Sequence, residues 1–281
     1  MGLLFIPAEA ENKAAEPFDL PGALLFMAGL SALLLGLNQG ENWGWGSLPV
    51  LGLILLSVIL LALFIRVELR TASPMLDLTL FQRKLFGFAT ASALINYICL
   101  YTIIFLMPFY LIQGRGFIVG RAGLLLTAEP LVMAISAPIS GTLSDKIGSR
   151  LLSTAGMGLM AVGIFLLSRA DQASPTGYIL LSLAICGLGT GIFISPNTNA
   201  LMGAAPRNRQ GIASGILATA RNSGMVLGVG LAGAIFTTIM SARVTAGTAA
   251  SNALYHAVGV TLTVSALIAV TGIFISANRG Q

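Results

Sequence analysis

Charge is what this sequence has least of. Only 9% of its 281 residues are Asp, Glu, Lys or Arg, against roughly 25% in a soluble domain. The formal net charge of +5 comes from fifteen Lys and Arg scattered in ones and twos, a pattern of topology-setting loops rather than of a nucleic-acid surface, so no nucleic-acid partner is expected. A single His and two Cys offer neither a metal-ligand spacing nor a disulfide framework. Cys99 and Cys186 fall inside apolar runs, where a thiol acts as a small hydrophobe. There is no HExxH, no glycine-rich phosphate loop followed by Lys, and no nucleophile with a base nearby, so enzyme chemistry, metal and cofactor have nothing to stand on. The opening Met1–Pro7 lacks the basic region of a signal peptide, and Ile6 stands where a myristoylation signal needs Ser or Thr.

What the chain does have is apolar length, with 56% of residues hydrophobic. Runs of about 20 apolar residues suit roughly 30 Å of hydrocarbon, where a helix satisfies its own backbone. The reading is an all-α polytopic membrane protein with spans near 20–38, 48–65, 86–109, 121–140, 151–168, 178–200, 211–240 and 254–275. Residues 1–19 carry Glu9, Glu11, Lys13, Glu16 and Asp19, a hydrated linker, and 20–66 form a helix pair. The polar turn Asn38–Gly46 holds Trp43 and Trp45, indoles that favour the headgroup level. A connector over 67–85, with Ser73-Pro74 forbidding a continuous helix, leads into a bundle over 86–281. Ten Lys and Arg lie on the side of the N-terminus and four opposite, which predicts both termini in the cytoplasm.

Several polar residues are out of place in this apolar background. Glu129 falls near the middle of the fourth span, and Met133, Ser136 and Ser140 share its helical face. An acid at that depth is either a proton or cation site or a neutral, hydrogen-bonded group; both readings stand. Pro130 and Pro138 free backbone carbonyls in the same helix. Asn96, Tyr97 and Tyr101, with Met133, Ser136, Phe193 and Asn197, are candidates to line a cavity, or else helix-contact residues. Ser195–Asn199 is expected to break the end of its span. Arg221 lies inside the seventh span, where it must be paired or face a cavity, and a structural pairing is the simpler expectation. Around it Ala220, Gly224, Gly228 and Ala232 form one small-residue stripe, and Gly211, Gly215, Thr219 and Ser223 another. His256 reads as an interfacial residue.

The stretch Gly141–Arg150 is predicted to be a charged turn between two spans. Its pattern Gly141-x-Leu143-Ser144-Asp145-Lys146-x-Gly148-x-Arg150 resembles the signature loop of the major facilitator superfamily. Pro74-Met75-Leu76-Asp77-Leu78, Leu126–Leu131 and Arg221-Asn222-Ser223-Gly224 are similar to the fourteen-span drug:proton antiporters of the EmrB/QacA type. The resemblance implies that the last six spans form one half of that fold, a 3+3 inverted repeat, with 20–66 as the two extra central helices. It also implies that residues 1–7 end a missing helix and that an N-terminal six-helix half is absent.

On that resemblance the chain is the C-terminal part of a plasma-membrane exporter that exchanges protons for lipophilic or cationic compounds by alternating access. The proton gradient is then its energy source, and the lipid bilayer, the transported molecules and the missing half are its partners. Glu129 becomes the proton or cation residue, and Asp145, Lys146 and Arg150 a cytoplasmic latch. The alternative is a non-transporting protein that assembles with a separate N-terminal half or with itself, for which the small-residue stripes offer an interface.

Overall fold

The computed structural model describes residues 19–71 and 78–278, and every regular element among them is helical. Among the described residues, eight helical segments are long and apolar enough to cross a membrane. The first pair is a hairpin of α1 (Leu20–Trp43) and α2 (Leu48–Glu68). Asp19 starts α1 by accepting a hydrogen bond from the Gly22 amide at 3.0 Å. Pro21 and Pro49 fall within the first two positions of α1 and α2, where the missing N–H is not needed. The tryptophan turn is shorter than predicted, because Asn38–Trp43 continue the helix and Gly44, at φ 84°, makes the break. Trp45 then folds back over Gly40 and donates its indole N–H to Thr238 Oγ1 at 2.9 Å.

The remaining segments are α3 (Lys84–Pro108), α4 (Val119–Leu126) with α5 (Ala128–Ile147), α6 (Ser149–Ser168), α7 (Thr176–Ala204), α8 (Gln210–Thr245) and α9 (Ala250–Ala277). Pro108 withdraws one donor from the α3 ladder, and the chain continues as a π-helical turn over Phe109–Gly114. In the bundle α3 packs on α8, α9 and α7, while α6 packs on α7 and α9; the hairpin joins mainly through α1 against α8. Glycines set the closest approaches. A Cβ on Gly228 would lie 2.5 Å from the Ile98 carbonyl oxygen, and one on Gly156 would lie 2.7 Å from that of Gly189. The stripe Ala220, Gly224, Gly228 and Ala232 is therefore buried against α3, used inside the chain rather than kept for assembly.

Polar ties close the two ends of the bundle. At one end Arg83 donates to the carbonyl of Ala204, the last residue of α7, at 2.7 Å, and Arg209 donates to Thr79 Oγ1 at 2.9 Å. At the other end the Tyr110 hydroxyl donates to the Asp171 carbonyl at 2.8 Å, Arg115 donates to the Asp171 and Ser174 carbonyls, and the Tyr255 hydroxyl donates to the Gly114 carbonyl at 2.6 Å. A hydrogen bond from Ser174, helped by backbone amides, holds the exposed Asp171 carboxyl below the ordinary Asp range.

Two predicted breaks are corrected. Residues 141–147 are not loop: α5 runs to Ile147, and Gly148 alone, at φ 89° and ψ 146°, separates it from α6. Ser144 stays helical by donating to the Gly141 carbonyl at 2.7 Å, and its own carbonyl receives the Gly148 amide at 2.9 Å. Likewise Ser195–Asn199 do not break α7, which continues through Pro196 to Ala204. Pro196 is buried among neighbouring helices, and Asn197 beside it donates to the Ala89 carbonyl of α3 at 3.1 Å. The expected linker over 1–18, the Ser73-Pro74 stop, the Pro74–Asp77 part of the family resemblance, and Arg279 lie outside the described residues.

Candidate functional site

Glu129 is the second residue of α5, just past the junction with α4 at Thr127. It is buried, as are Ser136, Ser140 and Ser144 on the same face, with Met133 half-buried. That polar stripe faces α7. The Glu129 backbone lies directly against Gly187, and a Cβ at Gly191 would overlap Ser136 Oγ. Ser140 donates to the Gly191 carbonyl at 2.9 Å, and Ser136 donates to the Val132 carbonyl of its own helix at 2.8 Å. Glu129 Oε1 has no hydrogen-bond partner. The stripe is thus a packing seam with one unsatisfied carboxyl oxygen in it. The opposite face of α5 is apolar and exposed, at Leu131, Ile135 and Ile139.

The other predicted residues separate into two places. Asn96, Phe193 and Asn197 are fully enclosed. Asn96 turns its amide towards the sulfurs of Met157 and Met160, at 3.5 and 3.1 Å, and leaves Oδ1 without a partner. Tyr97 and Tyr101 are half-buried on the side of α3 that meets α8. Arg221 itself is exposed, and no hydrogen bond or ion pair among the described residues holds it, so the expected structural pairing is not found within them. These residues do not converge on one pocket. His256 is exposed and its Nε2 lies 2.7 Å from Arg243 Nη2.

The signature residues occupy the end of α5 and the start of α6. Asp145, Lys146, Gly148 and Arg150 are exposed, while Gly141 is half-buried, and a Cβ on it would lie 2.6 Å from Ser195 Oγ. Gly141 therefore serves helix contact and Gly148 serves backbone conformation. Sequence reasoning missed Gly187, Gly189 and Gly191, which set the spacing of α7 from α5 on one face and from α6 on the other. Their alternation along one helix was the available signal. Among the described residues no group of His, Cys, Asp or Glu is arranged to hold a metal ion.

Comparison with known proteins gives the family. The sequence matches the Major Facilitator Superfamily in two overlapping stretches, residues 20–229 and 89–277. It is 31% identical over 234 residues to the multidrug resistance protein Stp of Mycobacterium tuberculosis, covering 83% of this chain and 43% of that protein. It is 32% identical over 236 residues to the riboflavin transporter RibZ of Clostridioides difficile, covering 84% of this chain and 50% of that one. A third relative, the multidrug transporter protein MdtP of Bacillus subtilis, is 29% identical over 219 residues, 78% of this chain and 40% of the relative. The chain spans about half the length of the curated relatives it matches. Among the described residues, the all-helical architecture with eight candidate membrane spans agrees with half of a major facilitator fold. The match covers most of the chain, so it belongs to the major facilitator superfamily: a multi-pass membrane protein of a transporter family, not an enzyme.

Proposed function

We propose that this chain is the C-terminal part of a proton-coupled multidrug antiporter of the fourteen-span type, acting by alternating access in the plasma membrane with both termini cytoplasmic. Glu129 carries the reading. It is the one carboxyl group, among the described spans, that lies away from the ends of its span, in the interior of Val119–Ile147. It is buried with an unpartnered oxygen, and burying a charge without a partner is costly in an apolar setting. Gaining and losing a proton there changes how α5 seats on α7, which is the kind of step that couples an ion to a conformational cycle. Relatives named for multidrug resistance and transport support the substrate class. The bilayer, lipophilic or cationic compounds and an N-terminal six-helix half are its proposed partners, with the proton gradient as driving force. Asp145, Lys146 and Arg150 act as the latch that biases one state.

The test is a full-length relative in which residues 20–278 of this chain replace the matching part. Glu129→Gln should abolish pH-gradient-dependent dye efflux while membrane insertion stays at the parental level. Efflux that persists with the parental pH dependence removes Glu129 from coupling.

A further inference from the structure

A groove of about 500 Å³ lies between α6 and α9. Gly158, Val162 and Phe165 of α6 and Thr263, Leu267 and Val270 of α9 line it. Gly158 opens one end, where a Cβ would meet nothing within 4 Å. Among the described lining residues only Thr263 is polar, and it donates its hydroxyl to the Gly259 carbonyl at 2.7 Å. Sites for small polar ligands fix them with a few placed polar groups, whereas a hydrocarbon chain needs none.

The groove has the length of one leaflet. Gly158 stands at the middle of α6, and at 1.5 Å per residue Phe165 lies roughly 10 Å and Arg169 roughly 16 Å further along the helix. Half of a hydrocarbon core is roughly 15 Å. The groove therefore runs from mid-span towards the headgroup level. There the Arg169 guanidinium lies 4.9 Å from the centroid of the Phe165 ring, itself a wall of the groove. Arg169 is exposed, and a guanidinium over a ring keeps N–H donors for a phosphate. The surrounding face suits lipid. Between Arg150 and Arg169 every exposed residue of α6 is apolar, and the exposed Thr271 of α9 donates to the Ile268 carbonyl at 2.7 Å. By contrast α8 exposes Arg221 and Asn222 within its span, groups that call for protein or water.

We propose that the groove between α6 and α9 binds one acyl chain of an anionic phospholipid, with the lipid phosphate on the Arg169 guanidinium. Occupancy of the groove then ties the packing of α6 on α9 to the lipid composition of that leaflet, the outer one on the proposed topology. The site rests on the membrane-spanning fold and goes beyond the antiport reading.

The test uses the whole chain in phosphatidylcholine nanodiscs doped with phosphatidylglycerol or phosphatidylcholine that carries a diazirine midway along one acyl chain. Irradiation and peptide mapping read the label on residues 158–165 and 263–273. Labelling there should saturate and should be about fivefold stronger with phosphatidylglycerol, the effect of one arginine at an anionic headgroup. Arg169→Gln should bring it down to the phosphatidylcholine level, and Arg169→Lys should keep most of the preference, which separates charge from folding. Val162→Trp, which fills the groove, should cut labelling by both lipids and leave the label on the exposed face of α2 unchanged. The full-length relative carrying residues 20–278 of this chain should show the same pattern. Equal labelling by the two lipids, labelling no stronger than on α2, or a preference that survives Arg169→Gln overturns the proposal. So does loss of the label in the full-length protein, which would mean that the other half covers the groove. The readout is lipid contact, so its failure leaves the efflux test of Glu129 intact.

Discussion

At the scale of single residues, Gly187 and Glu129 are one unit. No side chain fits between the Glu129 backbone and α7, so Gly187→Ala must push α5 outward. Overpacking of this kind destabilises by about 1–3 kcal/mol, read as a lowered midpoint in thermal unfolding in detergent. Gly158→Ala is the control, since nothing crowds that position, and its midpoint should hold or rise slightly. The shared face of Glu129, Ser136 and Ser140 was legible in the sequence from helical periodicity alone. What the face meets was not, because periodicity orders residues around one helix and says nothing about the neighbour. The same limit explains Asn96 and Phe193: both were singled out as cavity candidates, and both are enclosed by packing from other helices.

At the scale of elements, hydropathy located all eight spans but not their ends. Apolar length marks only what lies in hydrocarbon, and helices run on into polar sequence, as α1 does through Asn38–Trp43 and α5 through Gly141–Ile147. The charged stretch looked like a turn because it is polar, yet only Gly148 has turn geometry. Gly148→Ala should therefore cost about 1–3 kcal/mol, the strain of a side chain held in a region kept by glycine, whereas Gly120→Ala, in open space at an ordinary φ, should not. Chemical or thermal unfolding of the two variants checks this. In the connection between α6 and α7, the Asp171 carboxyl titrates below its unfolded value. Its turn is therefore stabilised above the unfolded value, and that contribution is lost as pH falls through the lowered one. The protection factor of the Ala173 amide, bonded to Asp171 Oδ1 at 2.9 Å, should fall on acidification once the intrinsic slowing of exchange at lower pH is divided out.

At the scale of the whole molecule, the hairpin and the bundle meet along α1 and α8, and the Trp45 indole is a point of attachment. Trp45→Phe should remove a bond worth about 0.5–1.5 kcal/mol. Faster hydrogen exchange across α1, with α6 and α7 unchanged, would show the hairpin loosening by itself. The sequence could pair 20–38 with 48–65 as neighbours but held no sign of where that pair packs on the bundle, along α8. The manner in which α5 is mounted has a mechanical meaning. Its long contact is with α7, it touches α6 little, and Gly148 joins it to α6 without slack. Asp145 and Glu129 then stand roughly 24 Å apart on one rod, at 1.5 Å per residue. A displacement of the charged tip would then reach the buried acid as a tilt of the helix about the glycines of α7.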